Sequence, residues 1–245
     1  MKKSSKNRLT PQQKSLFPGS SLFDKIARAV CRAGTLPRKE LHEAWEMAKR
    51  VRRIYRGGRV LDLACGHGLL AHIMLILDDT SSSALAVDRK IPLNAKKLSN
   101  ALITSWPRLK NRIIFKEVNI QKISVLPDDI VISAHACGSL TDLIIDKATE
   151  QHARVAVLPC CHNIKESSTA GLEGWMDKTL AVDAMRAIRL KAEGYKILTR
   201  KIPETITPKN RLLMGEYLKD ESDFYHGQGN PPHDDFHEGI ENSPG

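Results

Sequence analysis

One nine-residue string constrains this chain more than any other: Val60-Leu61-Asp62-Leu63-Ala64-Cys65-Gly66-His67-Gly68. Four residues of strand-forming character run into a turn of small residues, and a continuous apolar stretch, Leu69–Leu77, follows at helical length. Gly66 and Gly68 let a ligand approach the backbone closely, and the start of the following helix offers free N–H groups. A second strand-like run ends in Ala86-Val87-Asp88, and Asp88 stands twenty residues after Gly68. A carboxylate there can accept both hydroxyls of a ribose. Ligands of open α/β sheets sit at the carboxyl ends of the strands, at the switch point. The pair therefore points to a site for a nucleoside-bearing cofactor. Each Asp alone has a plainer reading as a cap on backbone N–H groups; the spacing across two strand–helix units favours the ligand.

The rest of the chain agrees with an open α/β sheet. Candidate strands are Val60–Leu63, Ala84–Val87, Ile113–Val118, Ile130–Ala134, Val155–Leu158, Tyr195–Ile202 and Leu212–Tyr217. Helical stretches fall between most of them: Leu69–Leu77, Pro92–Ile103, Leu140–Glu150 and Leu172–Glu193. Alternation of this kind predicts a mostly parallel seven-stranded sheet with helices on both faces. The last two strands read as an antiparallel pair joined through residues 203–210. Ahead of the sheet, residues 21–58 read as a helical extension. One helix ends near Gly34; a second runs from Pro37 to about Tyr55, with Thr35 as its candidate N-cap. Residues 1–20 are polar and basic and read as a flexible arm, residues 59–219 as the main domain, and residues 220–245 as a disordered acidic tail.

Charge is distributed as unevenly as structure. Residues 1–60 carry 16 basic and 4 acidic side chains, whereas residues 220–245 carry seven acids and no Lys or Arg. The basic head suits a phosphate-bearing partner, with a solvated surface as the plain alternative. No apolar run approaches the ~20 residues that cross a bilayer, and the opening Met1–Arg8 lacks the apolar core of a secretory signal. The five cysteines are odd in number, and Cys160 and Cys161 are adjacent. This is a poor disulfide framework; it predicts no disulfide partner and a reducing, cytoplasmic setting.

The string at residues 60–68 resembles motif I of the class I S-adenosyl-L-methionine (SAM) methyltransferases, usually written VLDLGCGTG. Gly66-x-Gly68-x-x-Ala71 also fits the dinucleotide fingerprint, but Asp62 occupies a strand position that is normally apolar in nicotinamide and flavin enzymes. The resemblance implies a Rossmann-like fold with SAM as cofactor. It implies that Asp62 and the turn backbone at Ala64, Cys65, Gly66 and Gly68 serve the methionine end. It places Asp88 on the ribose and Asn119 near the adenine. Ala64 departs from the family's glycine, which is tolerable if its φ stays negative.

Two further strings narrow the resemblance. His135-Ala136-Cys137-Gly138 with Leu140-Thr141-Asp142, and Pro159-Cys160-Cys161-His162, both follow predicted strands. They resemble the branch that contains the acceptor-stem tRNA 2′-O-methyltransferases and methyltransferase domains fused to a glutathione-transferase-like domain. Asp183–Leu190 and Ile206–Leu213 look closer to the second group. His135, Asp142 and His162 are candidate general bases, and His135 is a candidate cofactor contact as well. The plainer reading makes the two histidines hydrogen-bonded edge residues that shape the pocket.

Zinc is the other use for Cys137, Cys160, Cys161 and His162. Adjacent cysteines do not easily share one tetrahedral ion and no C-x₂-C pair occurs, so no metal is expected. Cysteine nucleophile chemistry is less favoured still, with no thiol at a helix start beside an acid partner. Trp45 belongs to the apolar face of the second helix, while Arg38, Lys39, Lys49, Arg53 and Arg56 flank it. With the arm they are suited to track an RNA backbone. The expected activity is therefore SAM-dependent methylation of RNA, including tRNA ribose 2′-O. A protein side-chain methyltransferase and a non-catalytic SAM-binding interaction module are the alternatives. The sequence leaves the oligomeric state open.

Overall fold

The computed structural model describes residues 3–162 and 167–218. The predicted acidic tail lies outside the described residues. A seven-stranded sheet runs in the order β3-β2-β1-β4-β5-β7-β6. Its strands are β1 (Val60–Leu63), β2 (Ala84–Asp88), β3 (Ile113–Glu117), β4 (Ile130–Ser133), β5 (Arg154–Val157), β6 (Tyr195–Lys201) and β7 (Arg211–Tyr217). The first five are parallel, and β7 runs antiparallel to both β5 and β6. The chain reverses its direction of winding between β1 and β4, so the carboxyl ends of these two strands flank the switch point.

Residues alternate between the two faces of the sheet with the period of two that strands impose. Val60, Ile130, Ile132 and Ala156 join a core on one face, and Leu61, Leu63, Val131 and Val155 join a core on the other. The first core is covered by α1 (Leu22–Ala33), α2 (Arg38–Ile54), α3 (Leu69–Leu77) and α4 (Ala95–Ser105). The second is covered by α5 (Ser139–Thr149) and α6 (Lys178–Ala192). The N-terminal helices are thus not an appendage: Val30, Met47 and Val51 are fully buried against the sheet's own covering helices.

Several local expectations change. The basic arm is folded from its first turn onward. Leu9 and Phe17 are buried, Leu9 N–H donates to Leu36 O at 2.8 Å, and residues 11–16 form a 3₁₀ turn. Two apolar side chains in a polar stretch were enough to anchor it. The N-cap of α2 is Pro37, not Thr35, whose hydroxyl is buried without a hydrogen-bond partner among the described residues. The stretch read as one helix from Leu172 divides into a 3₁₀ turn at Leu172–Gly174 and α6. Asp177 causes the break, because its carboxylate caps the N–H groups of Thr179 and Leu180. Ser21 and Gly34 bound α1 as read, by a side-chain cap on Asp24 N and a left-handed φ of 65°.

Candidate active site

The turn after β1 builds one wall of a cleft of about 390 Å³. Three of its residues take positive φ: Ala64 at 59°, Gly66 at 52° and Gly68 at 72°. The expectation of a negative φ at Ala64 is therefore wrong. Its Cβ sits in the left-handed region at a cost of ~1 kcal/mol, because Cys65 N–H is drawn to Val87 O at 3.0 Å on the neighbouring strand. Gly66 N–H donates to Asp88 Oδ2 at 2.9 Å, which ties the turn to the end of β2. A Cβ on Gly66 would meet nothing within 4 Å, so the space over the turn is open. A Cβ on Gly68 would stand 2.8 Å from the Phe115 ring; this glycine is required by packing and does not line the cleft.

Asp62 projects from β1 into the same cleft with 2% of its surface exposed. One carboxylate oxygen accepts from Ala71 N–H at 3.2 Å. Burial pushes its pKa up to about 7, against the lowering effect of that bond, with a smaller push from the charge of Asp88. A half-satisfied buried carboxyl facing a cleft suits an ammonium group. Asp88 stands at the mouth, followed by exposed Arg89 and Lys90.

The opposite wall comes from the N-terminal extension. Leu36 precedes α2, and Glu40 and Ala44 lie on it; all three line the cleft. Burial raises the pKa of Glu40, with Glu43 adding to the rise and His135 opposing it. Glu43 is 2% exposed, and its Oε2 has no hydrogen-bond partner among the described residues. That oxygen lies 3.8 Å from Nε2 of His135, which lines the cleft after β4. Glu40 and Glu43 were missed in the sequence because they sit in a run of charges that reads as a solvated face. Their signal was spacing: Leu36, Glu40, Glu43 and Met47 share one side of the helix.

The other predicted bases go elsewhere. Asp142, in the first turn of α5, pairs with Arg186 through bonds of 2.9 and 2.8 Å. His162 Nε2–H donates to Asp183 Oδ1 at 2.7 Å with the imidazole almost fully buried. Asp183 also accepts from Arg186 at 3.2 Å and Arg211 at 2.7 Å. Burial alone would raise its pKa, but the bonds from His162 and Arg211 outweigh this and hold the carboxyl below its ordinary value. Asp142 and His162 thus belong to one ion-pair network across α5, α6 and β7, and neither lines the cleft. Asn119 is also spent locally. Its side chain accepts from Gln121 N–H at 3.0 Å, capping a short turn, and it does not line the cleft.

A nucleotide-type cleft at the switch point of a seven-stranded sheet, with one carboxylate in β1 and one ending β2, defines a Rossmann-like transferase fold of the class I methyltransferase kind. A family model described as a methyltransferase domain matches residues 39–166, just over half of the chain, and the protein belongs to that family. The chain is 26% identical to a glutathione S-transferase C-terminal domain-containing protein homolog of Drosophila melanogaster over 82% of its own length and 41% of that protein. It is 23% identical to the corresponding mouse protein over 65% of its length and 30% of the relative. The chain therefore spans 30–41% of the length of these relatives, and the similarity agrees with the fused-domain branch seen in the motifs. A solved structure described as a candidate O-methyltransferase from Nostoc punctiforme superimposes with a TM-score of 0.50 at 14% identity, covering 84% of this chain and 67% of that one. It supports the fold. No helix among the described residues is long and apolar enough to cross a membrane.

Proposed function

We propose that this methyltransferase uses S-adenosyl-L-methionine and acts on RNA, with a hydroxyl as acceptor. The observation that carries the reading is the composition of the cleft. A buried Asp62 carboxyl, an open backbone cradle at Gly66 and the Asp88 carboxylate line one wall, and a helix from the most basic part of the chain forms the other. These groups fit the donor end to end: Asp62 for the ammonium, the turn for the methionine backbone, Asp88 for the ribose hydroxyls.

The bound donor supplies an electrophilic methyl group. His135, at the cleft wall, is placed to take the proton from an acceptor hydroxyl, and a Glu43 carboxylate oxygen lies 3.8 Å from its Nε2. Exposed Arg8, Arg89 and Lys90 bring positive charge close to the cleft and suit the phosphates of an RNA chain. Five free thiols suit a reducing, cytoplasmic setting.

The test is calorimetric titration with S-adenosylhomocysteine, on the wild type and Asp88→Ala in parallel. Micromolar binding that the variant loses supports the cofactor site. Transfer of label from SAM to RNA, suppressed by salt, then tests the substrate. Label arriving on protein side chains instead would overturn the RNA reading. Absence of binding to folded protein would overturn both and favour a non-catalytic module.

A further inference from the structure

The structure brings together three thiols from two loops that follow neighbouring strands. Cys137 follows β4, and Cys160 and Cys161 follow β5. The parallel pairing of these strands continues past their ends. Leu158 N–H donates to Ser133 O at 2.9 Å, Gly138 N–H donates to Cys161 O at 2.9 Å, and Cys137 and Cys161 form an isolated parallel bridge. The loops are pinned further by Thr141 Oγ1 on Ala136 O at 2.9 Å and by the Arg186 guanidinium on Gly138 O at 3.1 Å. On this frame the three sulfurs lie within 4.8 Å of one another, and those of Cys137 and Cys160 are 2.8 Å apart.

We propose that Cys137, Cys160 and Cys161 form a three-thiolate site for a soft divalent cation of the zinc type. Sulfurs on a tetrahedral zinc stand ~3.8 Å apart, given Zn–S bonds of ~2.3 Å. The Cys137–Cys160 pair reaches that spacing by opening about 1 Å, within the rotamer freedom of two thiols whose residues are exposed or half-buried. The objection from adjacency is answered by the placement of the atoms, since the sulfurs of Cys160 and Cys161 lie within 4.8 Å of each other and of that of Cys137. Ligation exchanges the thiol protons, which leave to solvent, for metal–sulfur bonds, with no change of oxidation state. His162 does not join the three sulfurs that lie within 4.8 Å of one another; its Nε2 is held by Asp183, and its Nδ1 is buried without a partner among the described residues. Exposure of Cys137 and Cys161 leaves the fourth position open to water or to a donor atom of a substrate, two residues along the chain from His135.

The test uses the whole chain, purified reduced and without chelator. Elemental analysis should find about one zinc per chain. Cobalt loaded in its place should give a sulfur-to-cobalt charge-transfer absorption. Cys137→Ser and Cys160→Ser should each weaken metal binding by more than about tenfold, while Cys31→Ala, buried in α1, leaves it intact. Circular dichroism checks folding; if a serine variant does not fold, chelator competition on the wild type decides. Folded, reduced wild type that neither carries zinc nor shows the cobalt band overturns the site. A Cys137–Cys160 disulfide, found by mass mapping of protein alkylated before purification, overturns it as well and assigns the pair to redox chemistry.

Discussion

Two regions of this molecule carry the polar residues that its motifs single out, and they differ in what those residues have left to offer. In the ion-pair network, Asp142, Asp183, Arg186 and Arg211 are occupied by one another and by Nε2 of His162, whose Nδ1 is left without a partner among the described residues. In the cleft, Asp62 has one partner on one oxygen and Gly66 faces open space; behind its wall Glu43 is paired with Lys39 through Oε1 at 2.7 Å, while its Oε2 has no hydrogen-bond partner among the described residues. Buried polar groups are costly unless paired. The first region meets most of that cost internally, and the second leaves part of it to be met by a ligand. The lesson is that a motif names residues, while the partners those residues already hold decide between support and chemistry.

The comparison breaks most sharply at Arg186. Its side chain is 2% exposed and bridges Asp142 and Asp183, so Arg186→Leu should lose about 3 kcal/mol of stability by leaving two carboxylates without their shared cation. Urea unfolding measures this; a loss below about 1 kcal/mol would place the network among ordinary surface pairs.

Asp88→Ala should show the opposite profile. Affinity for S-adenosylhomocysteine should fall tenfold or more, about 1.4 kcal/mol, while the unfolding midpoint moves little. A large stability loss would mean that the Asp88 bond to Gly66 N–H is mainly structural.

Asp62 sharpens the contrast through pH. Its folded pKa of about 7 lies above the ordinary 3.8. The free protein therefore binds the proton more tightly than the unfolded chain does, and stability contributed by Asp62 is full below about pH 4 and is lost as pH rises through about 7. A cationic ligand group prefers the ionised carboxyl, so affinity should rise over the same interval. Asp62→Asn should flatten both trends, as calorimetry and thermal unfolding across pH 5–8 would show.

The smallest effect belongs to Ala64. Replacement by glycine removes the penalty of a φ of 59° and should stabilise the protein by about 0.5 kcal/mol after the added freedom of the unfolded chain is counted. A decrease in melting temperature would show that the methyl group is packed and not merely tolerated.

How far the sequence could be read follows the same division. The strands were legible because β1, β4 and β5 are short, mostly apolar runs, β4 and β5 rich in Val and Ile, and the cofactor turn was legible because glycine and aspartate have few reasons to be there. The seating of the arm was not, since Leu9 and Phe17 are isolated apolar residues whose partners lie in α1 and the loop after it. Nor was the division of labour among the candidate bases. His135 and His162 carry equal weight as letters, and only the fold shows that one reaches the cleft while the other is clasped by Asp183. The meeting of the three thiols was not legible, because the pairing beyond the ends of β4 and β5 is a tertiary property.

The position of α2 has a thermodynamic corollary. Its inner side closes the cleft through Glu40 and Ala44, and its outer side presents Arg53 to solvent, with half-buried Lys49 paired to Glu46 beside it. One rigid body is thus shared by two potential ligands. If an anion on the outer side favours one placement of the helix and a molecule in the cleft favours the same one, linkage requires each to tighten the other by an equal factor. The ratio of the two enhancements, measured in either order of addition, should be one.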